Sequence, residues 1–314
     1  MYYGHQRRTF KKKTPYKAII LAVFCQILWG VVFPVIKKSY QLFSISDIGS
    51  TFLFASIRFM TAGHILLLVD AAKHGAFPVM RKKDAPSLFL LGTVQTGLTY
   101  GFQFAAMISA ASINCSILNG TSFIFMMIFA AIMFRDDRIN AKKVIGAAAG
   151  FSGILVCFLS KDAFQTFSLK GEGLMLLSIM LFAFGTSLSR KVTRDIRPAV
   201  ASGYNLLIGG AELFVLALLL GGRLGNGGVF GWACLAFLAM ASSVCLMLWT
   251  SLVSSYGVGR IAVFQCVNPL SGAIAAALLL GENVFQPRYI ISLILVVLGI
   301  VIVNTDFSRF RASH

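Results

Sequence analysis

Two long apolar runs near the end of the chain, Ile261–Leu280 and Tyr289–Val303, constrain the fold more than any other feature. Only a short polar break separates them. Runs of this kind are typical of helices that cross a membrane, which need about 20 apolar residues. Because lipid offers no hydrogen bonds, such a run must satisfy its backbone groups internally, as a helix does. The pair therefore predicts two successive membrane-crossing helices.

The first of these runs carries Asn268-Pro269 at its middle. Proline removes a backbone donor and bends a helix. In a membrane such a break is tolerated where neighbouring helices or a cavity satisfy the freed carbonyl. We therefore expect an interrupted helix at Pro269, with the carbonyl of Gln265 left free four residues earlier.

The same order of features occurs once before, 146 positions upstream. At this offset Asp136 aligns with Glu282, and Gly153 aligns with Gly299. Both parts of the chain contain the same features in the same order: an apolar helix, an acidic break, a cation and a helix centred on glycine. The sequence therefore predicts one structural unit that is repeated.

Composition extends this prediction to the whole chain. Apolar residues make up 57% of the 314 residues and charged residues only 12%, whereas about a quarter of the residues of a soluble domain are charged. We predict an all-α integral membrane protein with ten transmembrane helices. The ten predicted spans are 17–36, 47–69, 86–107, 112–134, 141–160, 172–190, 198–221, 228–251, 259–280 and 286–304.

Five spans in each half is an odd number. Two homologous halves with an odd number of spans must lie in opposite orientations, as in the inverted repeats of many secondary transporters. The predicted organisation is a basic cytoplasmic N-terminal segment (1–16), a first five-helix repeat (17–160), a connecting loop (161–171), a second five-helix repeat (172–305) and a cytoplasmic tail (306–314).

The basic residues predict the orientation in the membrane. If the N-terminus is inside, the inner segments hold 21 of the 28 Lys and Arg residues and the outer loops hold six. Such a bias in short loops is the positive-inside pattern of a cytoplasmic membrane protein. We therefore predict a multi-pass protein of the cytoplasmic (inner) membrane with both termini in the cytoplasm. The basic residues behind the net charge of +17 are clustered in the loops between the apolar runs. This clustering indicates contact with the lipid bilayer and not binding to nucleic acid.

An ordered set of short motifs resembles the drug/metabolite transporter superfamily, EamA type, over about residues 17–305. The motifs are Leu28-Trp29-Gly30 with Lys37, Arg58-Phe59, Asn268-Pro269, Gly281-Glu282 and Leu298-Gly299-Ile300-Val301. The resemblance implies an inner-membrane carrier, often an exporter of amino acids and other metabolites. The first half departs from the pattern, because Phe123 stands where the repeat would place Pro269, and Asp136-Asp137 replaces Gly-Glu.

Two ionisable residues, Arg58 and Glu212, lie near the middles of spans two and seven. Ionisable groups inside a membrane are costly and are candidates for a function. One interpretation is structural: each residue neutralises its surroundings, or the two form an ion pair. The other is that Glu212 couples transport to proton movement, because a desolvated carboxylate can carry a proton near neutral pH.

Seven further residues form a candidate substrate pathway. Aromatic and amide side chains on facing helices could line a route for a zwitterionic or amphipathic solute. The alternative is that the amides join helices through hydrogen bonds. Gln95 and Gln103 recur at helical spacing and should share one face. The full set is Trp29, Gln95, Gln103, Asn119, Trp249, Gln265 and Asn268.

These features predict a secondary transporter that moves a small organic metabolite, an amino acid or a related amphipathic solute, out of the cell by alternating access. The sequence shows no Walker motif, no hydrolase motif and no Cys/His spacing for a metal. We therefore predict no enzyme activity, no cofactor and no metal site. A channel or facilitative pore, or a membrane scaffold without transport activity, is the alternative. Gly97-xxx-Gly101 and Gly146-xxx-Gly150 predict close helix packing.

Overall fold

The computed structural model describes residues 15–110, 115, 118–137, 139–158, 168–280 and 287–304, and these residues contain helices and no strand. The predicted N-terminal segment, connecting loop and tail lie largely outside the described residues, as does Glu282. The helices are α1 (Tyr16–Leu42), α2 (Ile48–His74), α3 (Ala85–Gly92), α4 (Thr99–Ser109), α5 (Ser122–Met133), α6 (Ala141–Phe158), α7 (Leu174–Val192), α8 (Pro198–Leu219), α9 (Gly228–Tyr256), α10 (Val258–Ile261), α11 (Asn268–Leu280) and α12 (Pro287–Asn304). A π-helical segment, Thr93–Leu98, joins α3 to α4, another, Leu169–Gly173, leads into α7, and a 3₁₀ segment, Ala262–Val267, joins α10 to α11.

Six of the described helical segments are long and apolar enough to cross a membrane. They are Tyr16–Leu42, Ile48–His74, Leu169–Val192, Pro198–Leu219, Gly228–Tyr256 and Val258–Leu279. This confirms an all-helical, multi-pass membrane protein. The segments at the other four predicted positions are shorter or interrupted, so the count of ten spans stays a prediction.

Helices α2 and α8 pack against each other in opposite directions. Gly49, at the start of α2, approaches Gly222, just beyond the end of α8. Gly63 approaches Gly203, and a Cβ atom on Gly63 would lie 2.8 Å from the carbonyl oxygen of Gly203. Glycine therefore permits a backbone distance that any larger residue would prevent. Since residue numbers rise along α2 as they fall along α8, the two helices are antiparallel.

Helices α6 and α12 also approach closely. A Cβ atom on Gly299 would lie 2.6 Å from the carbonyl oxygen of Gly146 and 3.0 Å from the backbone nitrogen of Gly150. This confirms the packing role that was predicted for Gly146-xxx-Gly150. The remaining large contacts cross between the halves: α1 packs against α9 and α11, and α7 packs against α4 and α5.

The end of the bundle formed by the predicted inner loops is held by ion pairs. The buried carboxylate of Asp137 accepts hydrogen bonds from Lys143 Nζ at 2.6 Å, from Arg190 Nη1 at 3.1 Å and from the backbone N–H of Gly259 at 3.0 Å. Arg190 Nη2 also donates to Asp136 at 2.7 Å. These contacts bring Asp136, Asp137 and Lys143 together with the end of α7 and the start of α10 at one end of the helix bundle.

The predicted interruption near Pro269 is present, but its geometry differs from the prediction. The chain tightens to a 3₁₀ helix over Ala262–Val267 before α11 begins. The backbone N–H of Asn268 donates to the carbonyl of Gln265. The expectation of a free Gln265 carbonyl was therefore wrong, because the tighter helix brings a donor from three residues ahead.

The first half has a comparable interruption without proline. Residues 118–120 are helical, Thr121 forms a turn, and α5 begins at Ser122. Both the backbone N–H and the hydroxyl of Thr121 donate to the carbonyl of Leu118, at 2.8 and 2.7 Å. At the offset of 146 residues, Thr121 aligns with Val267, the last residue of the 3₁₀ segment.

Candidate functional site

A small cavity lies where both interrupted helices meet the rest of the bundle. Its volume is about 30 Å³, which is room for about two water molecules. Five of the candidate residues from the sequence line it. The lining residues are Trp29, Val32, Phe33, Arg58, Thr99, Tyr100, Gln103, Asn119, Ser178, Phe182 and Gln265.

Gln265 is the most informative of these residues. It lies in the 3₁₀ segment and is fully buried. Across the part of the chain that the structure describes, neither its side-chain oxygen nor its side-chain nitrogen has a hydrogen-bond partner. Leaving a buried polar group without a partner costs about 1–3 kcal/mol. A donor and an acceptor are therefore available at the cavity wall.

Asn119 provides the corresponding amide from the first half of the chain. It precedes the turn at Thr121, and at the offset of 146 residues it aligns with Gln265. Both side chains line the cavity. The repeat thus places two amide groups at one site, each beside an interruption in its helix.

Aromatic rings form another wall. Trp29 packs edge-on against Phe182, with ring centroids 5.8 Å apart, and against Trp249 at 5.4 Å. Trp29 and Phe182 line the cavity. Trp249 is fully buried behind Trp29, so it supports the wall and does not line the cavity. Such rings offer a large apolar surface to a solute.

Gln95 occupies a contact between helices. Its Nε2 donates to the hydroxyl of Thr186 at 3.2 Å, and its Oε1 accepts from Asn205 Nδ2 at 2.8 Å. It does not line the cavity, although Thr99 and Gln103 do. The structure therefore does not bring Gln95 to the cavity with Gln103; Gln95 lies in the π-helical segment, whose wider turn departs from regular α-helical spacing.

Asn268 lies at the contact between α11 and α1. It is fully buried, and a Cβ atom on Gly30 would lie 2.5 Å from its carbonyl oxygen. That carbonyl accepts a hydrogen bond from the Ser271 hydroxyl at 3.0 Å. The residue therefore belongs to a close helix crossing next to Gln265, outside the described cavity lining.

Arg58 and Glu212 do not form the ion pair that was one of the two interpretations. Arg58 extends from α2 toward α9, where its Nε donates to the Ser242 hydroxyl at 2.8 Å and to the Leu238 carbonyl at 3.3 Å. Glu212 extends from α8 toward the π-helical segment and accepts a hydrogen bond from Thr93. The two side chains therefore extend toward different helices.

Glu212 contacts the helix that carries part of the cavity lining. A Cβ atom on Gly97 would lie 2.1 Å from a carboxylate oxygen of Glu212. Gly97 therefore leaves space for this carboxylate, and Thr93 bonds to it from the preceding turn. The π-helical segment lies between Glu212 and the lining residues Thr99 and Gln103.

Comparison with known proteins agrees with this architecture. The sequence model of the EamA-like transporter family matches the chain twice, at residues 16–159 and 169–305. The chain belongs to the EamA-like transporter family. The resemblance inferred from the sequence motifs is thereby confirmed, and the two matches correspond to two copies of one unit within this EamA-like chain.

Similar proteins of the family share between a quarter and a third of their residues with the chain. The chain is 28% identical over 313 residues to a probable amino-acid metabolite efflux pump of Escherichia coli, with coverage of 94% of this chain and 96% of that protein. It is 25% identical over 292 residues to the uncharacterized transporter YyaM of Bacillus subtilis, with coverage of 90% and 92%. A solved crystal structure superposes with a TM-score of 0.78 at 17% identity, covering 96% of this chain and all of the other, which shows the fold.

Several residues that line the cavity were not among the candidates predicted from the sequence of this EamA-like protein. Tyr100, Ser178 and Phe182 stand inside apolar runs and look like ordinary packing residues. Ser178 and Phe182 are four residues apart and therefore share a face of α7. That spacing is the only feature of the sequence that points to Ser178 and Phe182 as lining residues. It does not show which face of α7 points toward the cavity.

Proposed function

We propose that the protein is a secondary transporter that moves a small organic metabolite, an amino acid or a related amphipathic solute, out of the cell by alternating access. It spans the cytoplasmic membrane ten times as two inverted five-helix repeats, with both termini in the cytoplasm. The observation that carries this proposal is Gln265, a buried amide at the wall of a cavity between the two halves, whose side chain has no hydrogen-bond partner among the described residues. In inverted-repeat carriers the substrate site lies at the repeat interface, at interrupted helices.

The packing of the helices supports the inverted repeat. Helices α2 and α8 hold the same place in the two halves, and they run antiparallel. The contacts of α1 with α9 and α11 have counterparts in the contacts of α7 with α4 and α5. A two-fold relation between halves of opposite orientation accounts for both observations.

The size of the cavity favours a carrier over an open pore. Sites for small molecules usually have volumes of about 300–1,000 Å³, whereas this cavity measures about 30 Å³. A metabolite therefore needs the helices to move apart before it can enter. The 3₁₀ segment and the turn at Thr121 provide points at which α11 and α5 can move without breaking regular helix hydrogen bonds.

The names of two relatives support the proposed direction and substrate class. Proteins of Escherichia coli and Salmonella typhimurium that share 28% identity with the chain are named probable amino-acid metabolite efflux pumps. Amide side chains supply donors and acceptors to a zwitterion, and the Trp29 wall supplies contact for an apolar side chain.

A flux experiment tests the proposed function. Purified protein in sealed liposomes should release a preloaded solute from a panel of radiolabelled amino acids and related carboxylates, and release should saturate with concentration. Gln265→Leu should raise the apparent KM, while Gln41→Leu, the same change at an exposed position, should leave it unchanged. Failure of every solute in the panel to cross, with the protein inserted and folded, would overturn the proposed function.

A further inference from the structure

Arg58 is a buried cation that has no acidic partner in the part of the chain that the structure describes. Only 1% of its surface is exposed, and it lies in the middle of the membrane-spanning helix α2. Among the described residues, no carboxylate lies within salt-bridge distance of it. A buried charge is costly unless it is paired, so the absence of an acidic partner among the described residues requires an explanation.

Hydrogen bonds and aromatic rings from three helices orient this guanidinium. Its Nε donates to Ser242 and to Leu238, and its central carbon lies 5.0 Å from the ring centroid of Phe59 and 5.9 Å from that of Phe104. These contacts fix the plane of the group. Its Nη1 atom has no hydrogen-bond partner in the described part of the chain.

The position of Arg58 links this donor to the site. Arg58 lines the same cavity as Gln265 and Trp29. The described lining residues include no Asp and no Glu, so the wall has one positive charge and otherwise only neutral groups. An oriented guanidinium with unused donors matches the planar geometry of a carboxylate.

We propose that Arg58 is the carboxylate subsite of the cavity, and that the transported solutes are small carboxylates with an apolar or aromatic body. This proposal rests on the proposed function and names its substrate class. The carboxylate of the solute pairs with Arg58, and its apolar body contacts Trp29 and Phe182. An amino group is not required. Where one is present, the neutral amides and the aromatic rings receive it.

The decisive comparison uses probes that differ only in charge. Phenylacetate and phenylacetamide have the same shape, but only the first carries a carboxylate. We expect phenylacetate and L-phenylalanine to bind the purified protein at least tenfold more tightly than phenylacetamide and phenethylamine. Binding can be measured through the tryptophan fluorescence of the protein in detergent, because Trp29 lies at the cavity.

Variants at Arg58 assign the preference to this residue. Arg58→Gln should remove the preference of phenylacetate over phenylacetamide, and Arg58→Lys should retain part of it, since the charge remains and the planar fork is lost. Arg223→Gln, the same change at an exposed position, should keep the full preference. Size-exclusion profiles identify any variant that does not fold, and Arg58→Lys then carries the comparison.

The outcomes separate this proposal from the proposed function. Equal binding of phenylacetate and phenylacetamide, no binding of any carboxylate probe, or a preference that survives in Arg58→Gln would overturn the carboxylate subsite. Flux of neutral or cationic solutes in liposomes would then still support a transporter. An Arg58-dependent preference in a protein that moves none of the solutes would support the subsite and overturn the transport activity.

Discussion

Asn119 and Gln265 stand 146 residues apart in the chain and line the same cavity. Each lies just before the point at which an interrupted helix resumes, at Ser122 in the first half and at Asn268 in the second. The interruptions have different causes, because only the second is followed by proline. The two halves therefore share the position of a break and the placement of an amide beside it.

Replacing either amide should weaken substrate binding. We expect Gln265→Leu and Asn119→Leu each to raise the apparent KM of solute flux in liposomes by about two- to tenfold, because one hydrogen bond contributes about 0.5–1.5 kcal/mol. Gln41→Leu serves as the control at an exposed position. An unchanged KM in both cavity variants would exclude the amides from the substrate site.

The two ends of the bundle should face opposite sides of the membrane. Reporter fusions at His314 should report the cytoplasm, and fusions in the loop 221–228 should report the outside. The structure groups residues 134–143 with the end of α7 at one end through the Asp137–Arg190 ion pair. It groups loop 221–228 with the loop before α2 at the other, where the Gly225 N–H donates to the Phe43 carbonyl at 3.0 Å. Reporters that give the same side at both positions would contradict the topology.

Proton coupling through Glu212 is testable without removing its bulk. We expect Glu212→Gln to abolish the response of flux to a pH gradient, because the amide cannot take up or release a proton. Thr93→Val removes the hydrogen bond to the Glu212 carboxylate but leaves it titratable, so this variant should still respond. A full response in Glu212→Gln would leave the carboxylate with a structural role at most.

Two glycines should differ sharply in their tolerance of alanine. Gly63→Ala would place a Cβ atom 2.8 Å from the carbonyl oxygen of Gly203, whereas on Gly101 the nearest atom is Leu213 Cδ2 at 3.6 Å. Overpacking costs about 1–3 kcal/mol, so Gly63→Ala should lower the melting temperature in detergent by several degrees. Gly101→Ala should leave it near the wild-type value. Equal melting temperatures would show that α2 and α8 can separate without cost.

The sequence determined the membrane class, the repeated unit and the break in the second half. Long apolar runs must become helices in lipid because their backbone groups have no other partner. Pro269 favours an interruption of its helix, because its ring removes a backbone donor. The amides at positions 103, 119 and 265 could be recognised because polar groups inside apolar runs are costly and therefore informative.

Only the tertiary structure decided which polar groups meet. Gln95 bonds to Thr186 and Asn205 because a π-helical segment changes its angular position, and nothing in the residue pattern indicates that extra residue in the turn. Arg58 and Glu212 both lie near the middle of a predicted span, but their side chains extend toward different helices. Periodicity defines the faces of one helix, whereas the neighbour of each face depends on how separate helices pack, which is set by close contacts such as Gly63 with Gly203.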